Sequence, residues 1–115
     1  METPDTTQLE TIVHRQLREC SPIFLALADP VRQDIIMMLT KHDSLNVAQI
    51  VERSPMSRSA ISHHLKILKQ AKLLHATKVA TEIFYSLDIE GPVLQLKDFL
   101  ATTDRIIEMK SEGAE

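Results

Sequence analysis

A row of polar residues with helical spacing, within residues 59–70, has the side chains best suited to chemistry in this chain. It consists of hydroxyls, an imidazole, an amine and an amide at Ser59, Ser62, His63, Lys66 and Gln70. Hydroxyl and amide groups can donate to and accept from DNA base edges, and Lys66 can meet phosphate or guanine. The row contains no carboxylate that would repel the DNA backbone. The pattern therefore favours a DNA-reading face; on composition alone, a solvated amphipathic helix is the alternative.

The helix that carries this row is predicted from its start and from its opposite side. Ser57 can accept from the first free backbone N–H groups, and Ser54-Pro55 ends any preceding helix. Apolar residues follow helical spacing along the other side, at Ile61, Leu65 and Leu68. We therefore predict a helix over residues 58–71, with its apolar side buried against another helix.

Residues 43–56 supply the other parts of a helix-turn-helix. A connector with a minimal strand at Ser44-Leu45 precedes Asn46, which can cap a short helix from Val47 to Val51. Ser54-Pro55-Met56 is then the turn before the second helix. The order of these parts predicts a helix-turn-helix.

The N-terminal part of the chain is predicted to contain separate helical segments. Residues 1–7 are expected to be disordered, and residues 8–20 have an amphipathic helical pattern. Ser21-Pro22 resembles an N-cap followed by proline at the first helical position. It predicts the start of a second, short segment that ends at Ala28.

Asp29-Pro30 repeats the pattern of a capping residue followed by proline. It predicts a helix to about Thr40, with an apolar side facing the core. Arg32 and Lys41 are expected to be exposed to solvent.

After the helix-turn-helix, the period of the apolar pattern changes. Residues 74–78 and 83–87 alternate with period two and are joined by residues 79–82, which predicts a β-hairpin. Gly91-Pro92 then starts a last helix to about Lys110, and residues 111–115 are expected to be a disordered tail. We therefore predict one α+β domain over residues 8–110, mainly α with a small β-hairpin, and assign it as a winged helix-turn-helix.

The charge is unevenly distributed along the chain. The total formal charge is −3. Seven basic and two acidic residues lie between Lys41 and Ala80, a net charge of +5, which leaves −8 on the flanking segments. A basic centre of this kind is the electrostatic pattern that DNA binding requires, although a random scatter of charge is the alternative.

Composition restricts the remaining classes of function. The 115 residues suffice for one domain, and no apolar run is long enough to span a membrane. The start of the sequence lacks the features of a signal peptide, so a cytoplasmic protein is expected.

The single cysteine, Cys20, excludes an intrachain disulfide and is expected to pack as a small apolar residue, with a redox role as the alternative. The sequence contains no phosphate-binding loop or nucleophile elbow, so neither an enzyme nor a cofactor is expected.

The first and last helices carry more apolar surface than a covered domain needs. We predict that these helices form the interface of a homodimer, although the last helix can instead simply cover the core. The predicted interface residues are Leu9, Ile12, Val13, Leu96, Phe99, Leu100, Thr103 and Ile107.

Three segments of the sequence resemble a known family. Residues 27–39 contain Ala-Asp-Pro-Val-Arg, residues 56–68 contain Ser-His-His-Leu-Lys-Ile-Leu, and residues 84–87 read Phe-Tyr-Ser-Leu. Together they resemble the ArsR/SmtB family of bacterial transcriptional repressors, over about residues 24–107. The resemblance implies a homodimeric winged-helix repressor of its own or a neighbouring gene, which binds an operator in double-stranded DNA and leaves it when a small-molecule or protein effector acts.

The resemblance also assigns candidate DNA-binding residues. The part of the family's recognition helix that enters the major groove matches Ser57, Arg58, Ser59, Ser62 and His63. His64 matches a common family histidine, and either a packed, hydrogen-bonded side chain or a phosphate contact fits its position.

Further basic residues are candidates outside this set. Lys66 and Lys69 are expected to contact phosphate. Lys78 is the candidate in the wing, which is the predicted β-hairpin of residues 74–87. Glu82 is acidic and the wing has no glycine, so we expect the wing to contribute less to DNA binding than the helix.

The sequence departs from the family's metal-sensing members. Residues 45–52 contain no cysteine, and residues 98–112 contain no histidine, so both usual sets of metal ligands are missing. No metal site is therefore expected. A metal-sensing repressor with an atypical site, or a winged-helix module that binds proteins, are the alternatives.

Overall fold

The computed structural model describes residues 5–113 and contains five helices and three strands in that range. In chain order they are α1 (Thr6–Leu27), α2 (Pro30–Lys41), β1 (Leu45–Asn46), α3 (Val47–Glu52), α4 (Arg58–Gln70), β2 (Leu74–Val79), β3 (Glu82–Leu87) and α5 (Glu90–Glu112). The predicted fold class, mainly helical with a small antiparallel sheet, is confirmed.

The described residues form two compact units within the range that we predicted as one domain. One unit combines the chain up to residue 21 with the chain from residue 93, and the other comprises residues 22–92. Helix extends two residues beyond each predicted end, since α1 begins at Thr6 and α5 ends at Glu112. Asp5 and Gly113 are described and lie just outside these helices, and the remaining residues that were predicted to be disordered, 1–4 and 114–115, lie outside the described residues.

The predicted break at Ser21-Pro22 is wrong, because α1 continues through Pro22. Proline in a helix removes one backbone hydrogen bond and disfavours the helix by about 3 kcal/mol. Ile23 and Ala26 are buried on the far side of Pro22, while the proline is itself exposed. Burial of these side chains offsets the missing hydrogen bond, so the helix persists.

The core of the residue 22–92 unit is aliphatic and holds its helices together. Its buried members are Ala26, Ile35, Leu39, Leu45, Ile50, Ile61, Leu65, Leu68, Ala71, Leu73 and Leu74. Helix α2 begins as predicted, with Asp29 as its N-cap: the carboxylate accepts from Val31 N at 2.8 Å and Arg32 N at 3.2 Å. This cap satisfies backbone donors at the start of the helix.

The helix-turn-helix has the predicted caps. Asn46 and Gln49 form a capping box at the start of α3, and the Ser57 hydroxyl accepts from the N–H of Ala60 at the start of α4. Helix α4 ends in a Schellman motif, in which Leu73 N donates to Leu68 O. Lys72 occupies its left-handed position with a φ of 62°, a conformation that favours glycine.

The sheet has the order β1-β3-β2 and is antiparallel throughout. The predicted hairpin is confirmed: Val79 pairs with Glu82, so Ala80 and Thr81 alone form the turn. Strand β1 covers Leu45–Asn46, one residue later than predicted, and pairs with β3. The sheet therefore attaches the wing to the start of α3.

Candidate nucleic-acid interface

The two sides of α4 differ in exposure as the sequence predicted. Ile61, Leu65 and Leu68 are fully buried. The five members of the polar row are exposed, and so are Ser57, Arg58 and Lys69. The helix therefore presents hydroxyl, imidazole, amide and cationic groups to solvent along one side, with no carboxylate in the helix.

The start of α4 combines capping with exposed polar groups. Ser57 Oγ accepts from Ala60 N at 3.2 Å and lies 3.3 Å from Ser59 Oγ. Arg58, the first residue of α4, lines a cavity of about 190 Å³ together with residues of α3 and the hairpin. Because Ser57 accepts from a backbone N–H and is also exposed, it is a structural cap as well as a candidate DNA contact.

Arg32 connects the end of α1 to α4 through hydrogen bonds, which sequence reasoning missed. Its Nε donates to Ala26 O at 2.8 Å, its Nη2 to Leu25 O at 2.9 Å, and its Nη1 lies 3.1 Å from His64 Nδ1. The prediction that Arg32 is exposed to solvent is wrong, because these three bonds keep the side chain half-buried. For His64, the packed and hydrogen-bonded alternative agrees with the structure. The sequence gives no sign of these partners, which lie in other elements.

Asp29 contributes the negative charge next to this arginine. Burial raises the pKa of its carboxyl, but the backbone N–H groups of Arg32 and Val31, together with the charges of Arg32 and His64, lower it overall. Asp29 therefore remains ionised through the neutral range and partly balances the positive charge of Arg32.

The hairpin is tied to the helix-turn-helix by one side chain. Asn46 Nδ2 donates to Glu82 Oε2 at 3.0 Å, while Asn46 Oδ1 accepts from Gln49 N at 2.9 Å. Glu82 and Arg58 both line the cavity described above. Lys78 is exposed on β2. The candidate surface thus has one acid in the wing close to the basic start of α4.

The predicted dimer residues differ in exposure within the unit formed by the two ends of the chain. Leu9 is only 3% exposed, so it offers little surface to a partner. Leu100 and Ile107 are 58% and 59% exposed. The others, Ile12, Val13, Leu96, Phe99 and Thr103, are half-buried. Val93, which is 37% exposed, was not among the predicted interface residues, although it lies seven residues before Leu100.

We also considered a metal site, a reactive cysteine and a membrane-spanning helix. Within residues 5–113, no three His, Cys, Asp or Glu side chains come together in a group able to hold a metal ion. Cys20 is buried, and its thiol lies 3.7 Å from Gln95 O. Burial, and next the charge of Glu19, raise the pKa of this thiol, which disfavours the reactive thiolate. In the described part of the chain, no helix is long and apolar enough to cross a bilayer.

The fold and the exposed polar helix define a winged helix-turn-helix, and comparison with known proteins identifies its family. The family profile described as "Bacterial regulatory protein, arsR family" matches residues 29–76. The transcriptional repressor SdpR of Bacillus subtilis is 38% identical over 66 residues, which span 57% of this chain and 72% of that protein. The chain therefore belongs to the ArsR family of bacterial regulatory proteins.

Solved structures agree with this assignment. An ArsR-like transcriptional regulator from Rhodococcus sp. RHA1 matches with a TM-score of 0.69 and 28% identity, over 85% of this chain and 92% of that one. The transcriptional repressor PagR of Bacillus anthracis matches with a TM-score of 0.60 and 28% identity, over 71% and 94% of the two chains. The protein is a DNA-binding transcriptional regulator, and these relatives are regulators rather than enzymes.

Proposed function

We propose that the protein is a homodimeric repressor that binds an inverted-repeat operator and is released from it by an effector. The exposed, carboxylate-free side of α4 is the observation that carries this proposal. Two relatives, SdpR and PagR, are named as transcriptional repressors, which supports repression as the regulatory outcome.

DNA reading is assigned to the first two turns of α4. Ser59, Ser62 and His63 are exposed and can approach base edges in the major groove. Lys66 and Lys69, further along the helix, suit phosphate contacts. The wing residue Lys78 is a further phosphate candidate, opposed by the carboxylate of Glu82.

Dimerisation is assigned to the exposed apolar row on α5. Val93, Leu100 and Ile107 recur every seven residues and are 37%, 58% and 59% exposed in the single chain. A row of this spacing stays on one side of a helix, where a second copy can cover it. Two-fold symmetry would then place two α4 helices in successive major grooves, about 34 Å apart.

The DNA-binding part is tested with the duplex upstream of the protein's own gene and a scrambled duplex. Fluorescence anisotropy near physiological salt should give a preference of about 10³-fold or more for the upstream duplex. Replacing Ser62 and His63 by alanine should reduce that preference. Lys66→Ala should instead weaken binding to both duplexes and lower the salt slope by about 1. Unchanged preference in the double variant would refute the assigned reading face.

The dimer part is tested by sedimentation equilibrium at micromolar concentration. Leu100→Glu should yield monomers, because a dimer would bury the new carboxylate in an apolar contact. Ala101→Glu is the matched control, since Ala101 is the next exposed residue on α5 and lies about 100° around the helix. A wild-type monomer, or a dimer that persists in Leu100→Glu, would contradict this interface.

A further inference from the structure

The side chain of Arg32 links the end of α1 to the DNA-reading helix. Two of its nitrogens donate to the carbonyls of Leu25 and Ala26 in the last turn of α1, at 2.9 and 2.8 Å. A third nitrogen lies 3.1 Å from Nδ1 of His64 on α4. These residues all belong to the unit of residues 22–92. One rigid, planar guanidinium therefore fixes the position of α4 against another helix.

The link requires His64 in one protonation state. A guanidinium has only donors and stays protonated in proteins, so His64 Nδ1 must supply a lone pair. The imidazole is then neutral and carries its proton on Nε2. A protonated imidazole has two N–H donors and no acceptor, and it would place a second positive charge 3.1 Å from Nη1 of Arg32.

His64 is well placed to transmit this change to the DNA-reading side. It follows His63 directly on α4, and the two rings are 5.9 Å apart and tilted by 57°. The groups around the link are Arg32 itself, the ionised Asp29 at the start of α2, and the neighbouring ring of His63. Asp29 attracts a protonated His64 while Arg32 repels it, so protonation favours a different position of the ring.

We propose that Arg32 and His64 are positioning residues for DNA reading, and that protonation of His64 breaks their hydrogen bond and lowers sequence-specific binding. The proposal rests on the DNA-binding function proposed above. It concerns sequence preference rather than total affinity, because neither side chain belongs to the exposed row that faces DNA.

The first test compares the wild type with His64→Asn across about pH 5.5 to 8, where histidines titrate. Asparagine retains an acceptor oxygen near the position of Nδ1 and does not titrate. The wild-type preference for the operator over the scrambled duplex should fall about tenfold at acid pH, as for one mismatched base pair. His64→Asn should lose less of its preference at acid pH than the wild type does.

His42→Asn is the matched control. His42 is an exposed histidine at the end of α2, far in sequence from α4, and only its backbone caps the helix. This variant should follow the wild-type pH profile. A wild-type preference that does not change with pH, or a loss at acid pH that is as large in His64→Asn as in the wild type, would overturn the switch.

Arg32→Lys tests the link at a fixed pH of about 8. An ammonium keeps the charge but cannot reach three acceptors in a planar fork. The operator preference should fall about tenfold with an unchanged salt slope, because no phosphate contact is removed. A thermal unfolding curve for each variant establishes that the protein is folded in the assay. A folded variant with wild-type preference would refute the positioning role.

Imidazole ¹⁵N spectra separate this proposal from the function on which it rests. If the wild type shows no operator preference at pH 8, the proposed function fails. The spectra alone then test the hydrogen bond between Arg32 and His64. An unprotonated Nδ1 and a protonated Nε2 on His64, with that pattern lost in Arg32→Lys, would uphold the link. A mixture of tautomers that Arg32→Lys leaves unchanged would overturn it.

Discussion

Ser57 is expected to serve both the stability of α4 and its binding to DNA, and three substitutions separate these roles. Its hydroxyl accepts from Ala60 N at 3.2 Å, so it is the N-cap. Removing an N-cap oxygen costs about 1 kcal/mol. For a chain of this size, Ser57→Ala should therefore lower the melting temperature by about 4 °C. Ser57→Gly should lose only a few tenths of a kcal/mol.

Ser57→Asp keeps the cap and changes the charge. Aspartate is as good an N-cap as serine, and its charge interacts favourably with the helix N-terminus by about 0.5 kcal/mol. Stability should therefore match or exceed that of the wild type. A carboxylate at this position would repel nearby phosphates, by about 1 kcal/mol or more at 4 Å. Binding to operator and scrambled duplexes should both weaken by about tenfold.

The assay combines urea unfolding, followed by circular dichroism, with anisotropy on both duplexes. Ser62→Ala is the control for stability, because Ser62 is exposed in the second turn of α4 and does not cap the helix. It should stay within about 0.5 kcal/mol of the wild type. Equal stability of Ser57→Ala and wild type would refute the cap. Wild-type DNA binding by Ser57→Asp would mean that the start of α4 does not face DNA.

Three further substitutions have defined outcomes. The pKa of Asp29 is lowered in the fold, so its stabilising charge is present above about pH 3.9 and lost as pH falls through the lower folded value. Asp29→Asn should thus be less stable than wild type at pH 7 and equally stable near pH 2 in urea titrations; a constant difference would contradict this. Ala80 has a φ of 56° in the hairpin turn, so Ala80→Gly should raise the free energy of unfolding by about 0.5 kcal/mol, measured in urea. Glu82→Gln, which keeps an oxygen for Asn46, should strengthen binding to both duplexes about threefold by removing a carboxylate near Arg58. Unchanged affinity in that variant would place Glu82 away from the DNA.

Local signals predicted the helix starts and the two sides of α4. Asp29, Asn46 and Ser57 each cap a helix by accepting from backbone N–H groups two or three residues later, so the whole interaction lies within a short stretch of sequence. The spacing of Ile61 and Leu65 likewise determines which side of α4 is buried. Such features depend on residues that are neighbours in the chain, and sequence reasoning found them.

Interactions between distant residues could not be predicted in this way. Arg32 has a charged side chain near a helix start, which is usually exposed, and its partners at residues 25, 26 and 64 come from other elements. At Pro22, a strong local signal for a helix start was overridden by burial of the residues that follow it. In both cases tertiary packing determined the outcome, and a single sequence contains no measure of that packing.

The two hydrogen bonds of the Asn46 side-chain amide also affect local unfolding. One amide plane caps α3 through its oxygen and holds Glu82 of the hairpin through its nitrogen, across 36 residues of chain. Separation of the hairpin from α3 would leave a nearly buried amide without one partner, a loss that costs about 1 to 3 kcal/mol. The backbone amides of α3 and β3 should therefore exchange with solvent hydrogen as one cooperative unit rather than strand by strand and helix by helix.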